Sequence, residues 1–313
     1  MFKKVVIVGG GVLGTQIAMQ CAYWGFDTTI WLRSEGSIGR TKPRIEKVHQ
    51  EYRDALDKMN QTHAEEDLCH GLADSYETFD YQQSLQRLEN AVSGLKLELD
   101  LAKAVKDADL VIESMSENFD AKKEMFEKLA PVMDAKTILC TNSSSLLPSK
   151  FTKYTGRPDK YLAMHFANTI WKHNTAEVMA TKDTSEASFN AIVDFARDIH
   201  MVPLQLHKEK AGYLLNSVLI PFLFAGLDLV ATGISSPEDV DKAWKLGTGS
   251  PEGPCEIVDV VGMQTALEIT NMYVKIPGFI APYHFKDIAK LLQQKIDEGK
   301  LGRISGEGFY KYN

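Results

Sequence analysis

The 313-residue chain contains no apolar run approaching the length of about 20 residues that a membrane-spanning helix needs. Cysteine is sparse. The four residues Cys21, Cys69, Cys140 and Cys255 are scattered at spacings that fit neither a disulfide framework nor a metal site, so we expect no metal and read them as thiols of a reducing cytoplasm. Positive charge is in deficit: 35 Lys and Arg against 42 Asp and Glu leave a formal net charge of −7. That balance argues against a nucleic-acid surface, which requires a concentrated positive field. Internal repeats and low-complexity stretches are missing too. The opening Met1-Phe2-Lys3-Lys4-Val5-Val6-Ile7-Val8 has some character of a signal peptide, but it runs into a glycine-rich turn without a small-residue cleavage site and reads as a first strand. With 44% hydrophobic and 25% charged residues, the rest is ordinary globular composition, long enough for two domains.

Short β-branched runs alternate with helical patterns through the first two thirds, which predicts an α/β domain with a mainly parallel sheet. The expected strands are Val5–Val8, Thr28–Leu32, Leu95–Glu98, Leu110–Glu113, Thr137–Thr141, Tyr161–His165, Glu177–Met179 and Val202–Leu206. Residues 41–93 read as an insertion. Within it, Ile45, Val48, Tyr52, Leu56 and Met59, then Tyr81, Leu85, Leu88 and Val92, recur at helical spacing and suggest a helical hairpin projecting from the domain. After Leu206 helices dominate: Gly212–Val230, a run opened by Ser236-Pro237-Glu238-Asp239 and closed by Gly247, Ile257–Tyr273 and His284–Glu298. These patterns predict a first domain over 1–207 and an all-helical one over 208–313.

Gly9-Gly10-Gly11-Val12-Leu13-Gly14 is a G-x-G-x-x-G turn that follows an apolar strand and opens an amphipathic helix. In that Rossmann-type setting Gly9 makes the tight turn, Gly11 lets a pyrophosphate approach, Gly14 allows close helix packing, and the first amides of the helix at Val12 and Leu13 face the phosphates. At the end of the second strand an Asp or Glu ordinarily bonds the ribose 2′-hydroxyl of NAD. Here Leu32 holds that place and Arg33-Ser34 follow, a guanidinium and a hydroxyl suited to the 2′-phosphate of NADP. The cofactor is therefore NADP or NAD, with NADP favoured; in the alternative, Arg33 is solvated and Glu35 takes the ribose.

Further along stand Asn142-Ser143-Ser144-Ser145-Leu146, His165-Phe166-Ala167-Asn168, Glu177, Tyr213-Leu214-Leu215-Asn216, Gly253-Pro254 and Gly306-Glu307-Gly308-Phe309-Tyr310. In this order and spacing the chain resembles the 3-hydroxyacyl-CoA dehydrogenase family over nearly its whole length, least well across 41–93. The resemblance implies that His165 is the general base for hydroxyl oxidation, that Glu177 holds its imidazole, and that Ser144 and Asn216 hydrogen-bond around the reacting oxygen. It also implies that Ser144 and Asn168 lie beside the nicotinamide, that Glu117, Asn118 and Lys122 belong to the segment contacting its ribose, and that the chain is a homodimer through its helical domain. The chemistry is coherent by itself: hydride loss from a carbinol requires loss of the hydroxyl proton, and imidazole titrates near neutral pH.

The substrate is expected to be a small molecule, with an acyl-CoA preferred. A CoA-free hydroxy acid or dicarbonyl, as for the family's L-gulonate dehydrogenase branch, is the alternative, and a non-catalytic nucleotide-binding protein is a third. The family binds CoA through the region corresponding to 41–93. That region carries six Lys and Arg against eleven Asp and Glu, a poor field for a polyanion, although Lys42, Arg44, Lys47, Arg53 and Lys58 cluster on its first helix. The motif after the histidine also departs from the family, with Thr169-Ile170-Trp171 where proline is usual, so that Trp171 and His173 are expected at the pocket mouth.

Overall fold

The computed structural model describes residues 2–312. The chain divides after Leu214 into two compact units. The first contains β1 (Lys4–Val8), α1 (Val12–Tyr23), β2 (Asp27–Trp31), α2 (Glu35–Thr62), α3 (Tyr81–Gly94), β3 (Lys96–Glu98) and α4 (Leu101–Val105). It continues through β4 (Leu110–Glu113), α5 (Phe119–Leu129), β5 (Ile138–Thr141), β6 (Tyr161–Phe166), β7 (Thr175–Ala180), α6 (Glu186–Asp198) and β8 (Val202–Leu206).

All eight expected strands form one sheet, in the order β3-β2-β1-β4-β5-β6-β7-β8. Neighbours are parallel except β6 and β7. A sheet covered on both faces reads as apolar at every position rather than at alternate ones. β1 shows why: Val5 and Ile7 enter one buried cluster with α1 and α6, whereas Val6 and Val8 enter another with Phe126, Phe151 and Tyr161. The strand order reverses between β1 and β4, and in open α/β sheets the crevice at such a switch point is where ligands bind.

The helices of the 41–93 region do not project. Ser34, whose hydroxyl accepts the Ser37 amide, starts α2 well before residue 41. The apolar stripes of α2 and α3 bury Val48, Tyr52, Leu56, Met59 and Leu88 in the same cluster as α1. A polar hub locks this layer. Gln20, fully buried, donates to the carbonyls of Gly71 (2.7 Å) and Ile199 (2.8 Å) and accepts the Tyr52 hydroxyl at 2.5 Å. Trp171 belongs to this layer too. It is 4% exposed, its ring centroid 4.8 Å from that of Tyr52 and its carbonyl bonded by the Gly71 amide, so it is core rather than pocket mouth.

The first unit extends past His207, because Tyr213 and Leu214 are tied back into it. The Tyr213 hydroxyl donates to the Ser143 carbonyl (2.7 Å), and the Leu214 amide donates to Glu177 (2.8 Å). The second unit is helical: α7 (Leu215–Ala231), α8 (Pro237–Thr248), α9 (Pro254–Val261), α10 (Met263–Asn271) and α11 (Phe285–Asp297). Helix α8 runs past Gly247 and stops at Gly249. The single helix expected over Ile257–Tyr273 is two, because the chain turns at Gly262 with φ +90°. Leu223, Leu227, Val258, Met263, Ile288 and Leu292 are among its core residues.

Tyr52→Phe should destabilise the first unit, since it leaves the buried Gln20 oxygen without this donor at a cost of about 1–3 kcal/mol. A thermal melt measures the loss; an unchanged midpoint would show that the hydroxyl is not structural.

Candidate active site

The glycine turn is built as its sequence requires. Gly9 has φ +116°, and a Cβ there would lie 2.6 Å from the Ser114 carbonyl oxygen of the next strand's loop. Gly14 packs so close to the turn that a Cβ would meet the Gly9 carbonyl oxygen at 2.0 Å. A Cβ on Gly11 would touch nothing within 4 Å, which leaves an open approach to the first amides of α1 at Val12 and Leu13. These features suit a pyrophosphate bound on backbone N–H groups.

Beside the turn lies a cavity of about 310 Å³, lined by the glycines, by Leu32 and Arg33 after β2, by Ser37, Arg40, Thr41 and Arg44 of α2, and by residues 114–116 after β4. Leu32 is buried and supplies no polar acceptor from its side chain. Ser34 serves as the cap of α2, its hydroxyl engaged by the Ser37 amide and hydroxyl. Ser37, one turn further on, faces the cavity in its place. Arg40 donates to the Ser37 hydroxyl (3.1 Å), and Arg44 donates to the Gly10 carbonyl (3.1 Å). Arg40 and Arg44 were not singled out as nucleotide residues from the sequence. Their signal was there: 37, 40 and 44 follow the three-and-four spacing of one helix face, just beyond Arg33.

The catalytic candidates come from β6, β7 and the loop after β5. Antiparallel register sets His165 directly opposite Glu177. His165 Nδ1 lies 2.8 Å from Glu177 Oε2, and its Nε2 lies 3.1 Å from Ser144 Oγ. Because a carboxylate only accepts, the neutral ring carries its proton on Nδ1 and turns the Nε2 lone pair toward Ser144. Both His165 and Glu177 are buried. Glu177 Oε1 takes the Leu214 amide, which fixes the carboxylate at both ends. Tyr213 stacks on the imidazole with centroids 4.4 Å apart and planes 13° apart. The sequence placed Tyr213 in a motif without assigning it this contact.

Ser144 is exposed in its loop, and Asn168 is exposed just after β6. Glu117 lies under the serine loop, accepting from the Ser143 hydroxyl (2.6 Å) and from the Ser145 amide (2.7 Å). Burial pushes its carboxyl up, but these bonds and the Lys122 ammonium outweigh that and hold it below the usual range. Lys122 is buried, its ammonium 2.7 Å from Glu113. Asn118 caps α5 by accepting the Ala121 amide. Asn216 is the second residue of α7, in the second unit.

The basic residues of α2 do not act as one group. Lys47 pairs with Glu51 (3.7 Å), Arg53 with Glu89 and Lys58 with Asp67 (2.5 Å), while Arg44 turns to the glycine cavity. Among the described residues, no helix is long and apolar enough to cross a membrane.

Residues 4–210 match the family model of the 3-hydroxyacyl-CoA dehydrogenase NAD binding domain, and residues 212–312 match that of the 3-hydroxyacyl-CoA dehydrogenase C-terminal domain. The chain is 31% identical over 310 residues to the mitochondrial hydroxyacyl-coenzyme A dehydrogenase of Homo sapiens, covering 99% of this chain and 91% of that protein. It is 29% identical over 311 residues to the 3-hydroxybutyryl-CoA dehydrogenase of Clostridioides difficile, covering 99% of each. Among solved structures it resembles a diketoreductase that acts on dicarbonyl compounds, with a TM-score of 0.85, 41% identity and 99% of both chains covered.

Proposed function

The chain belongs to the 3-hydroxyacyl-CoA dehydrogenase family, and from that premise we propose that it interconverts a 3-hydroxy and a 3-keto group, with His165 as the proton-transfer residue. The observation that carries this reading is the imidazole held between Glu177 at 2.8 Å and Ser144 at 3.1 Å. A bound nicotinamide supplies or accepts the hydride at the 3-carbon. In oxidation, His165 Nε2 takes the hydroxyl proton while Glu177 stabilises the imidazolium that forms. In reduction the same nitrogen returns the proton to the oxygen. The Ser144 hydroxyl donates to that oxygen as negative charge grows on it. Asn216, opening α7, and Asn168, exposed beside the histidine strand, complete the reading as substrate-side and nicotinamide-side contacts. Glu117, below the serine loop, is assigned to the ribose side, and Lys122 supports it from the interior.

NADP is the proposed cofactor. Arg33, Arg40 and Arg44 surround one cavity with Ser37, a donor set suited to a phosphate dianion, and Leu32 supplies no side-chain acceptor for a 2′-hydroxyl.

The substrate reading favoured by the surface is a CoA-free 3-keto acid or dicarbonyl. Three of the six bases on α2 are paired with acids, and two more, Arg40 and Arg44, face the nucleotide cavity. The 41%-identical diketoreductase, with its dicarbonyl substrates, supports it. A 3-hydroxyacyl-CoA is the second reading, favoured by the acyl-CoA relatives. Val218, Ile234, Leu246, Met272 and Phe279 are exposed on the helical unit, apolar surface suited to cover by a second copy of the chain.

His165→Gln should cut turnover by about 10²–10⁴-fold, the usual contribution of general acid–base catalysis, and leave nucleotide affinity unchanged by fluorescence titration. Near-wild-type rates would sink the mechanism. Arg33→Ala or Arg40→Ala should weaken NADPH about 10- to 100-fold, as expected for one charge-assisted hydrogen bond, and leave NADH nearly unaffected. Equal losses for both nucleotides would mean that the arginines do not read the 2′ position. Steady-state kinetics with acetoacetyl-CoA beside acetoacetate and a larger free 3-keto acid test the handle. A higher kcat/KM for a free acid, with no effect of charge reversal at Lys47 and Arg53, is expected. A KM for acetoacetyl-CoA that rises on that reversal would instead establish a CoA clamp.

A further inference from the structure

At the end of β4 the protein buries an ion pair that proton transfer itself does not use. Glu113 is fully buried and Lys122 is 1% exposed. Glu113 Oε1 accepts the Lys122 ammonium at 2.7 Å and the Met115 amide at 2.7 Å, while Oε2 accepts the Thr141 hydroxyl at 2.7 Å. One carboxylate thus ties together the ends of β4 and β5 and the body of α5. Two charges taken out of water are a poor source of stability, since an apolar pair of the same volume often serves as well. Their arrangement relative to the active site gives them another role.

Lys122 stands between two carboxylates, 2.7 Å from Glu113 and 3.7 Å from Glu117 Oε2. The other oxygen of Glu117 accepts from the Ser143 hydroxyl (2.6 Å), the Ser145 amide (2.7 Å), the Ser145 hydroxyl (2.9 Å) and the Leu146 amide (3.1 Å). Those residues bracket Ser144, whose hydroxyl faces His165 Nε2 at 3.1 Å. An ammonium without a close partner inside a protein draws in the nearest carboxylate. Here that carboxylate is the one shaping the serine loop.

We propose that Glu113 is a positioning residue for the proton-transfer pair: by holding Lys122 it leaves Glu117 free to shape the loop that presents Ser144 to His165. This rests on the reading of Ser144 and His165 as catalytic. In Glu113→Gln the side-chain shape survives but the charge is lost, and Lys122 turns to Glu117. The serine loop then loses its shared acceptor, and Ser144 moves off the imidazole.

The test is steady-state reduction of acetoacetate and acetoacetyl-CoA by the full-length enzyme, with kcat expressed per folded molecule from the melt. Glu113→Gln should lower kcat about tenfold or more, the scale of one lost charge-assisted contact, with little change in dinucleotide KM. Glu113→Gln/Lys122→Met removes the stranded ammonium, returns Glu117 to the loop and, at saturating dinucleotide, should raise kcat severalfold above that of Glu113→Gln. The double variant carries no buried charge at this position, so it also serves if the single variant does not fold. Wild-type kcat per folded Glu113→Gln molecule, or a double variant no better than the single one, would overturn the proposal by leaving the pair a purely structural role. If His165→Gln retains its rate, the underlying catalytic reading fails. If His165→Gln is inactive while Glu113→Gln is not impaired, only the positioning role fails.

Discussion

One antiparallel strand pair in an otherwise parallel sheet sets up the candidate active site. β6 continues the parallel order from β5, and β7 reverses it, so that His165 and Glu177 become cross-strand neighbours. Directly opposed side chains on one sheet face approach within contact distance without help from a flexible loop. The 2.8 Å hydrogen bond between them follows from that register. It sets the tautomer of the imidazole and fixes which nitrogen faces outward. Stacked Tyr213 and the Leu214 amide restrain the same two side chains from the segment after β8.

The nucleotide side depends on a different constraint, close backbone approach. Gly9 and Gly14 can be nothing larger, because their missing side chains would collide with carbonyl oxygens. The cavity next to them takes its character from α2, which begins only a few residues after β2 and brings Ser37, Arg40 and Arg44 to the side of the turn. The proposed proton-transfer pair and the glycine-turn cavity are thus carried by separate elements of one sheet. A change in one can leave the other intact.

Much of this was legible in the sequence where the pattern is local. Most strands announced themselves by a short apolar run, although β3 is only Lys96-Leu97-Glu98, and the glycine spacing carried its own steric logic. The histidine and glutamate could be named because the order and spacing of their motifs resemble the 3-hydroxyacyl-CoA dehydrogenase pattern. What escaped depended on tertiary facing. The stripe of Val48, Tyr52, Leu56 and Met59 says that α2 is amphipathic but not that α1 covers it, so the hairpin looked free. Trp171 read as a departure at the pocket rim, whereas it fills the layer beside Tyr52. The break at Gly262 was hidden by apolar periodicity that continues through it. Charge counting across 41–93 saw five bases on one helix, but ion pairing is a matter of which acids lie within reach.

The central claim is that this site moves a hydride to the 3-carbon while His165 handles the proton on the 3-oxygen. The most direct measurement is reduction of a 3-keto acid with NADPH deuterated at C4 of the nicotinamide, followed by NMR of the product. The account predicts deuterium bonded to the 3-carbon of the 3-hydroxy product, on one face only and without washout to solvent. Product carrying its label at another carbon, or a 3-hydroxy product formed without label when both C4 hydrogens are deuterium, would contradict it.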